Sequence, residues 1–240
     1  MRGEHVTGVQ ACALPISSSF GIGGSSTNYH DVGEGDPVLL VHGSGPGVTA
    51  WANWRLNIPV LAQDFRVIAP DMFGFGYSDS KGRIEDKQVW VDQLASFLDG
   101  LGIDKISMVG NSFGGGITLA FMIAHPDRVE RAVLMGPAGL NFPITPALDK
   151  VWGYVPSVEA MRESLKYLAW DHSRLTEDLI QSRYVASARP EAHEPYHATF
   201  GGADRQAPPR FTGTTGFDGS VHRKHAGLEG DLVEPFDHVV

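Results

Sequence analysis

Four short apolar runs, each bounded by glycine, proline or aspartate, alternate with segments of helical spacing along the first two thirds of the chain. The runs are residues 37–42 (PVLLVH), 66–71 (RVIAPD), 106–110 (ISMVG) and 131–135 (RAVLM). Continuous rather than alternating apolar character is what a strand shows when both faces of its sheet are covered. Between the runs, Trp51, Trp54, Ile58 and Leu61 recur three or four residues apart, as do Val91, Leu94, Leu98 and Leu101, with Gly102 closing the second set. Those spacings put apolar side chains on one helical face. Strands alternating with helices predict an α/β fold with a mostly parallel sheet, residues 18–140 forming its core. Residues 141–200 break the rhythm with Pro143, Pro146, Pro156, Pro190 and Pro195 around a helical stretch at 157–169. A helical cap inserted into the sheet is expected there.

The bulk numbers exclude several classes. With 42% hydrophobic and 20% charged residues over 240 positions, the chain suits one enzyme-sized domain. A net charge of −9 without a Lys/Arg block argues against nucleic acid as a partner. No run of about 18 apolar residues points to the membrane. The one cysteine, Cys12, cannot form an internal disulfide, so a cytoplasmic protein acting on a small molecule is the expectation.

Both ends read differently. Residues 5–17 (HVTGVQACALPIS) are too short an apolar stretch for a secretory signal. They resemble the translation of a sequencing-library adapter, so residues 1–17 are expected to be a non-native leader. From residue 201 onward seven glycines and three prolines stand against six Val/Leu, with no Ile or Met. Neither strand nor helix periodicity survives in 201–240, and a shift of reading frame near Phe200 is expected.

Gly110-Asn111-Ser112-Phe113-Gly114 follows the third strand run and precedes a helical pattern through Ile117, Ala120, Phe121 and Ala124. A Gly-x-Ser-x-Gly sequence between strand and helix places the serine on a sharp, strained turn, where flanking glycines let the two elements approach. Ser112 is the expected nucleophile. After the first strand run comes His42-Gly43-Ser44-Gly45-Pro46-Gly47. A loop at that place supplies one backbone amide of an oxyanion hole and the residue after the nucleophile supplies the other, so the amides of Ser44 and Phe113 are the candidates. His42 is expected to pack rather than react, and Asp71, ending a strand before the nucleophile, to be a structural turn residue.

Three segments, residues 42–55 (HGSGPGVTAWANWR), 70–79 (PDMFGFGYSD) and 110–116 (GNSFGGG), resemble the meta-cleavage-product hydrolases, and the likeness runs from about Tyr29 to Phe200. The resemblance implies an α/β-hydrolase fold with a helical lid and hydrolysis of a C–C bond without metal or organic cofactor. The implied substrates are anionic 2-hydroxy-6-oxo-2,4-dienoates made by catechol ring fission. It also implies that Arg189 binds the substrate carboxylate or enolate oxygen and that Asn53 and Asn111 hydrogen-bond the polar dienoate end. Self-association into a homo-oligomer is a further implication. Phe113, Trp51 and Trp152 are candidates for lining the pocket, with no catalytic role.

A serine hydroxyl needs a histidine to take its proton and an acid to orient that histidine. The family's acid and base motifs, a Gly-Arg-Glu-Asp-like turn and a Gly-His-Trp-like turn, are not present in this sequence. Asp218, Asp231 and Asp237 accompany His222, His225 and His238, but none follows a strand pattern, so none is assigned. Without the final strands the sheet edge would expose backbone, and the chain is expected to be inactive or unfolded. Alternatives are a carboxylesterase of the same fold and a non-catalytic or incomplete fragment.

Overall fold

The computed structural model describes residues 17–22, 24–138 and 144–201. The expected leader, apart from its last residue, and the expected irregular tail, apart from Gly201, lie outside the described residues. Six strands, β1 (Ser17–Ile22), β2 (Ser25–Val32), β3 (Pro37–Val41), β4 (Arg66–Pro70), β5 (Ile106–Asn111) and β6 (Val129–Met135), form one sheet in the order β1-β2-β4-β3-β5-β6. β3 pairs parallel to β4 and β5, and β5 parallel to β6; registers such as Val38 opposite Val67 and Leu40 opposite Val109 align the strand ends. All four apolar runs of the sequence are therefore strands of the parallel portion.

Their continuous apolar character has the expected cause. Leu39, Val41 and Ile68 point to one face of the sheet, against Trp90, Leu94 and Phe97 of α3 (Gln88–Gly100) and Ile117 and Phe121 of α4 (Phe113–Ala124). The alternate residues Val38, Leu40, Val67 and Ala69 face Trp54 of α1 (Ala50–Trp54) and Ile58 of α2 (Ile58–Leu61). Each of these β3 and β4 residues thus has an apolar neighbour whichever way it points.

β1 and β2 were not legible as strands. Their sequences, SSSFGI and SSTNYHDV, are mostly polar, yet β2 pairs antiparallel with β1 and with β4. Distant partners satisfy two of the buried polar side chains of β2, Thr27 and Asn28. Asn28 Nδ2 donates to Asp71 Oδ2 at 2.8 Å, and Gln93 Nε2 donates to Thr27 Oγ1 at 3.1 Å. Among the described strands β6 is the other edge, with Val133 and Met135 exposed.

After β6 come four helices, α5 (Pro146–Trp152), α6 (Val158–Leu168), α7 (Glu177–Ser187) and α8 (Pro190–Phe200). Thr145, Ser157 and Thr176 cap α5, α6 and α7 by accepting from an amide three residues on, and proline sits in the first turn of α5 and α8. Tyr154, Met161, Leu165 and Ile180 bury a small core of their own. The helices reach the main core through aromatic rings. Phe200 lies 6.1 Å from Phe113 and 5.6 Å from Trp152, and Tyr196 lies 6.2 Å from Phe75.

Candidate active site

The strand-to-helix junction is as tight as the glycine spacing requires. β5 ends at Asn111, α4 begins at Phe113, and Ser112 between them has φ 52° and ψ −113°. It is the one non-glycine residue with positive φ among the described residues, a conformation costing on the order of 1–3 kcal/mol. Backbone bonds hold it there. Ser112 N–H donates to Met135 O at 2.8 Å, and Ser112 O accepts from Gly116 N at 3.1 Å and Ala138 N at 3.0 Å. A Cβ on Gly114 would sit 2.3 Å from Val41 O and 2.5 Å from His42 O; one on Gly110 would sit 2.6 Å from Gly114 O. The glycines thus let the start of α4 touch both β5 and the end of β3. Ser112 itself is exposed, at the start of a helix whose first amides lack intrahelical acceptors. Phe113, buried at the first position of α4, carries one of those amides.

The loop after β3 lies beside this turn. Gly43 N–H and Asn111 Nδ2 both donate to Asn53 Oδ1, each at 3.1 Å. Asn53 and Asn111 are therefore brought together, with Asn53 Oδ1 engaged in tying the loop to the residue before the nucleophile. Ser44, half-buried, accepts a hydrogen bond on Oγ from Trp152 Nε1 at 3.2 Å. His42 is fully buried. Its Nδ1 bonds Gly43 O at 2.8 Å and its Nε2 accepts from Met72 N at 3.0 Å, so both ring nitrogens face backbone. Burial holds its pKa below the usual histidine value, the charge of Arg183 adds to this, and Asp71 and the Gly43 carbonyl oppose it. A neutral imidazole donating from Nδ1 satisfies both bonds. His42 braces the loop and is not placed to take a proton from Ser112.

Asp71 is fully buried and fixes the neighbouring turns. Oδ1 accepts from Ala50 N at 2.6 Å, at the start of α1, and Oδ2 accepts from Asn28 Nδ2 at 2.8 Å and Tyr77 N at 2.9 Å. Those bonds account for an acid at a strand end without any catalytic role.

The two arginines of the last helices differ. Arg189 is half-buried at the junction of α7 and α8. Its Nη2 donates to Gly76 O at 3.1 Å and its guanidinium lies 4.3 Å from the centre of the Tyr77 ring. It lines a groove of about 580 Å³ with Tyr77, Asp79, Glu191 and Glu194, in which Ser112 takes no part. Arg183 is one turn before Ser187 on α7, on the face that meets the loop after β3. There Ser187 N lies 2.6 Å from the place a Cβ on Gly47 would occupy. Desolvation, then the charge of Arg55, lowers the pKa of Arg183, and Arg183 in turn acts on His42. No carboxylate pairs with it among the described residues. A guanidinium stays charged under these pressures, so an unpaired, desolvated cation stands beside the loop. Sequence reasoning passed over Arg183, although a cation on the helical face shared with Ile180 and Ser187 was a signal that could have found it.

Phe113 and Trp152 are buried and Trp51 half-buried; Phe113 packs against Phe75 at 5.5 Å and Trp90 at 4.7 Å. Asp218, Asp231, Asp237, His222, His225 and His238 lie outside the described residues. Among the described residues no cluster of His, Cys, Asp and Glu could hold a metal ion, and no helix is long and apolar enough to cross a membrane.

A family model for the alpha/beta hydrolase fold matches residues 36–222. The chain is 54% identical over 178 residues to the 2-hydroxymuconate semialdehyde hydrolase of Pseudomonas sp. strain CF600, a match covering 74% of this chain and 63% of that protein. It is 52% identical over 179 residues to the 2-hydroxy-6-oxo-2,4-heptadienoate hydrolase of Pseudomonas putida, covering 74% and 65%. The chain thus spans somewhat under two thirds of the length of these relatives. Among solved structures, the meta-cleavage product hydrolase of Pseudomonas fluorescens IP01 is similar with a TM-score of 0.74 at 49% identity, over 76% of this chain and 68% of the other. The 2-hydroxy-6-oxo-6-phenylhexa-2,4-dienoate hydrolase of Rhodococcus sp. strain RHA1 is similar with a TM-score of 0.72 at 30% identity, over 78% and 71%. With the strained serine turn, the parallel sheet and these likenesses in agreement, the chain belongs to the alpha/beta hydrolase fold family, among its meta-cleavage product hydrolases.

Proposed function

We propose that this chain carries the nucleophile, the oxyanion loop and the anion-binding cation of a serine hydrolase that cleaves a C–C bond in 2-hydroxy-6-oxo-2,4-dienoates. The observation that carries the reading is the left-handed Ser112, held between β5 and α4 beside the 42–47 loop. Strain at one serine, maintained by three backbone hydrogen bonds, is how a hydroxyl is kept presented rather than folded into the helix.

The residues take the following parts. The dienoate first becomes its 2-oxo tautomer, so that cleavage of C5–C6 leaves an electron pair on C5 in conjugation with the C3–C4 double bond and the C2 carbonyl. Ser112 Oγ adds to the C6 carbonyl as its proton passes to a base that is not among the residues assigned, and the resulting alkoxide is held by the amides of Ser44 and Phe113. The C5–C6 bond then breaks, C5 takes a proton, and water releases the acyl group from Ser112. Arg183 is the group we assign to the substrate's carboxylate end, because a planar fork without a protein carboxylate is matched by one brought in by the ligand. Arg189, anchored on Gly76 O and the Tyr77 ring in a groove that Ser112 does not line, is not assigned to that end. Asn53 and Asn111 align the loop with Ser112 and present their remaining amide atoms to the polar end. Helices α5–α8 act as the cap. His42 is occupied on both nitrogens, so the base for Ser112 is not among the residues assigned. The same reading implies a cytoplasmic protein that self-associates and needs no cofactor.

The test pairs turnover with binding. Wild-type chain and the Ser112→Ala variant are mixed with 2-hydroxy-6-oxohexa-2,4-dienoate and, separately, with p-nitrophenyl acetate. Micromolar binding of the dienoate that survives Ser112→Ala is the expected result, together with residual, slow loss of the dienolate absorption that Ser112→Ala abolishes, since a serine without its base retains only a small part of its rate. Ester turnover with neither binding nor consumption of the dienoate would make the protein a carboxylesterase instead.

A further inference from the structure

The helical segment grips the 42–47 loop at two points, and neither contact has a part in the scheme above. At the first, Trp152 Nε1 donates to Ser44 Oγ across 108 residues of sequence. Trp152 is the last residue of α5 and is 5% exposed, stacked near Phe200. A buried indole N–H without an acceptor costs about 1–3 kcal/mol, so the seated ring favours Ser44 in place. At the second, Gly47, with φ 63°, lies so close to α7 that a Cβ would meet the backbone of Ser187 at 2.6 Å. Ser187 is itself fixed by Tyr154 OH at 2.7 Å and by the Tyr184 carbonyl at 2.8 Å. The core holds the start of the loop through Gly43 N–H and Asn53, and at its far end Val48, a core residue, donates its N–H to Gly45 O at 3.2 Å. Between these anchors the chain reads Gly43-Ser44-Gly45-Pro46-Gly47, and its three glycines choose no single conformation unaided.

We propose that Trp152 is a positioning residue: its indole N–H, bonded to Ser44 Oγ, fixes the orientation of the Ser44 amide, so that the oxyanion hole is complete only when α5 is seated on the core. This rests on the reading of Ser44 as an oxyanion donor. The device ties the rate-determining electrostatics to the cap rather than to the core alone. Loss of the bond therefore acts on the chemical step and leaves ground-state affinity in place, because a ground-state carbonyl gains little from the hole.

Two variants test it in the full chain. Trp152→Phe keeps a ring in the aromatic cluster and removes the donor; Ser44→Ala keeps the backbone amide and removes the acceptor. Each should lower kcat on the dienoate about 10- to 100-fold, short of or equal to the loss of one oxyanion donor, with KM changed by less than about threefold. The double variant should be no slower than the slower single, since both remove one bond. Full activity in Trp152→Phe, a change confined to KM, or losses that multiply would each overturn the proposal. Amide hydrogen exchange gives a readout independent of turnover. Both variants should raise exchange in a 42–49 peptide about tenfold while a peptide from β5 is unchanged. If the wild-type chain neither binds the dienoate nor consumes dienoate or ester, the functional reading has failed, and exchange alone still decides the latch: unchanged protection in both variants refutes it.

Discussion

Replacing Gly114 by alanine should damage the fold at one identifiable contact. The added Cβ would stand 2.3 Å from Val41 O and 2.5 Å from His42 O, where ordinary contact begins near 3.4 Å, so about 1.1 Å of overlap has to be relieved. Both neighbours are backbone atoms at the end of β3, and neither can rotate aside. Relief must come from moving the first turn of α4 away from the sheet, although α4 buries Ile117 and Phe121 against it. Overpacking a tight core typically costs 1–3 kcal/mol, and the lack of a flexible neighbour puts this site near about 3 kcal/mol. At about 2–4 °C per kcal/mol for a chain of this size, the melting temperature should fall by roughly 6–12 °C. Gly45 is the control. It sits in the adjacent loop, needs no positive φ, and nothing lies within 4 Å of its would-be Cβ, so Gly45→Ala should melt within about 1 °C of wild type. Thermal unfolding followed by circular dichroism measures both. Equal melting temperatures for Gly114→Ala and wild type would refute the claim that close approach of α4 to β3 shapes the nucleophile turn.

Other consequences can be checked on the same material. Ser112→Gly should raise the melting temperature by a few degrees, because strain of about 1–3 kcal/mol is relieved against a smaller loss from the freer unfolded chain, whereas Ser112→Ala should not. Both should abolish turnover. Arg183→Met should stabilise the fold by removing a desolvated, unpaired cation and should weaken dienoate binding by about 10- to 100-fold in a calorimetric titration. If binding is unchanged, the anion site lies elsewhere. Because burial depresses the His42 pKa, its contribution to stability is complete above the unfolded value of 6.5 and is lost as pH falls below it, when the unfolded chain binds a proton that the folded chain refuses. The melting temperature should therefore drop more steeply between about pH 6.5 and 5 in wild type than in His42→Asn. Parallel curves would deny His42 that role.

Sequence alone determined the parallel strands, because residues such as Val38, Leu39 and Leu40 are apolar in succession and only a sheet covered on both faces can bury them all. It also determined the place of Ser112, since glycines at 110 and 114 leave space that no other residue would leave. β1 and β2 were decided by tertiary structure: their polar residues become strand-compatible only when Asp71 and Gln93 arrive from elsewhere in the chain to bond them. The site divides along the same line. Asn53 and Asn111 were legible as a pair of amides, but Oδ1 of one accepting both Gly43 N–H and the other's Nδ2 depends on the fold bringing α1 beside the loop after β3 and the last residue of β5. Resemblance singled out Arg189 and passed over Arg183, because a helical spacing names the face a charge lies on but not what that face meets. Packing of α7 on the 42–47 loop, through Ser187 and Gly47, left one against Tyr77 and brought the other, unpaired, into the electrostatic field of His42.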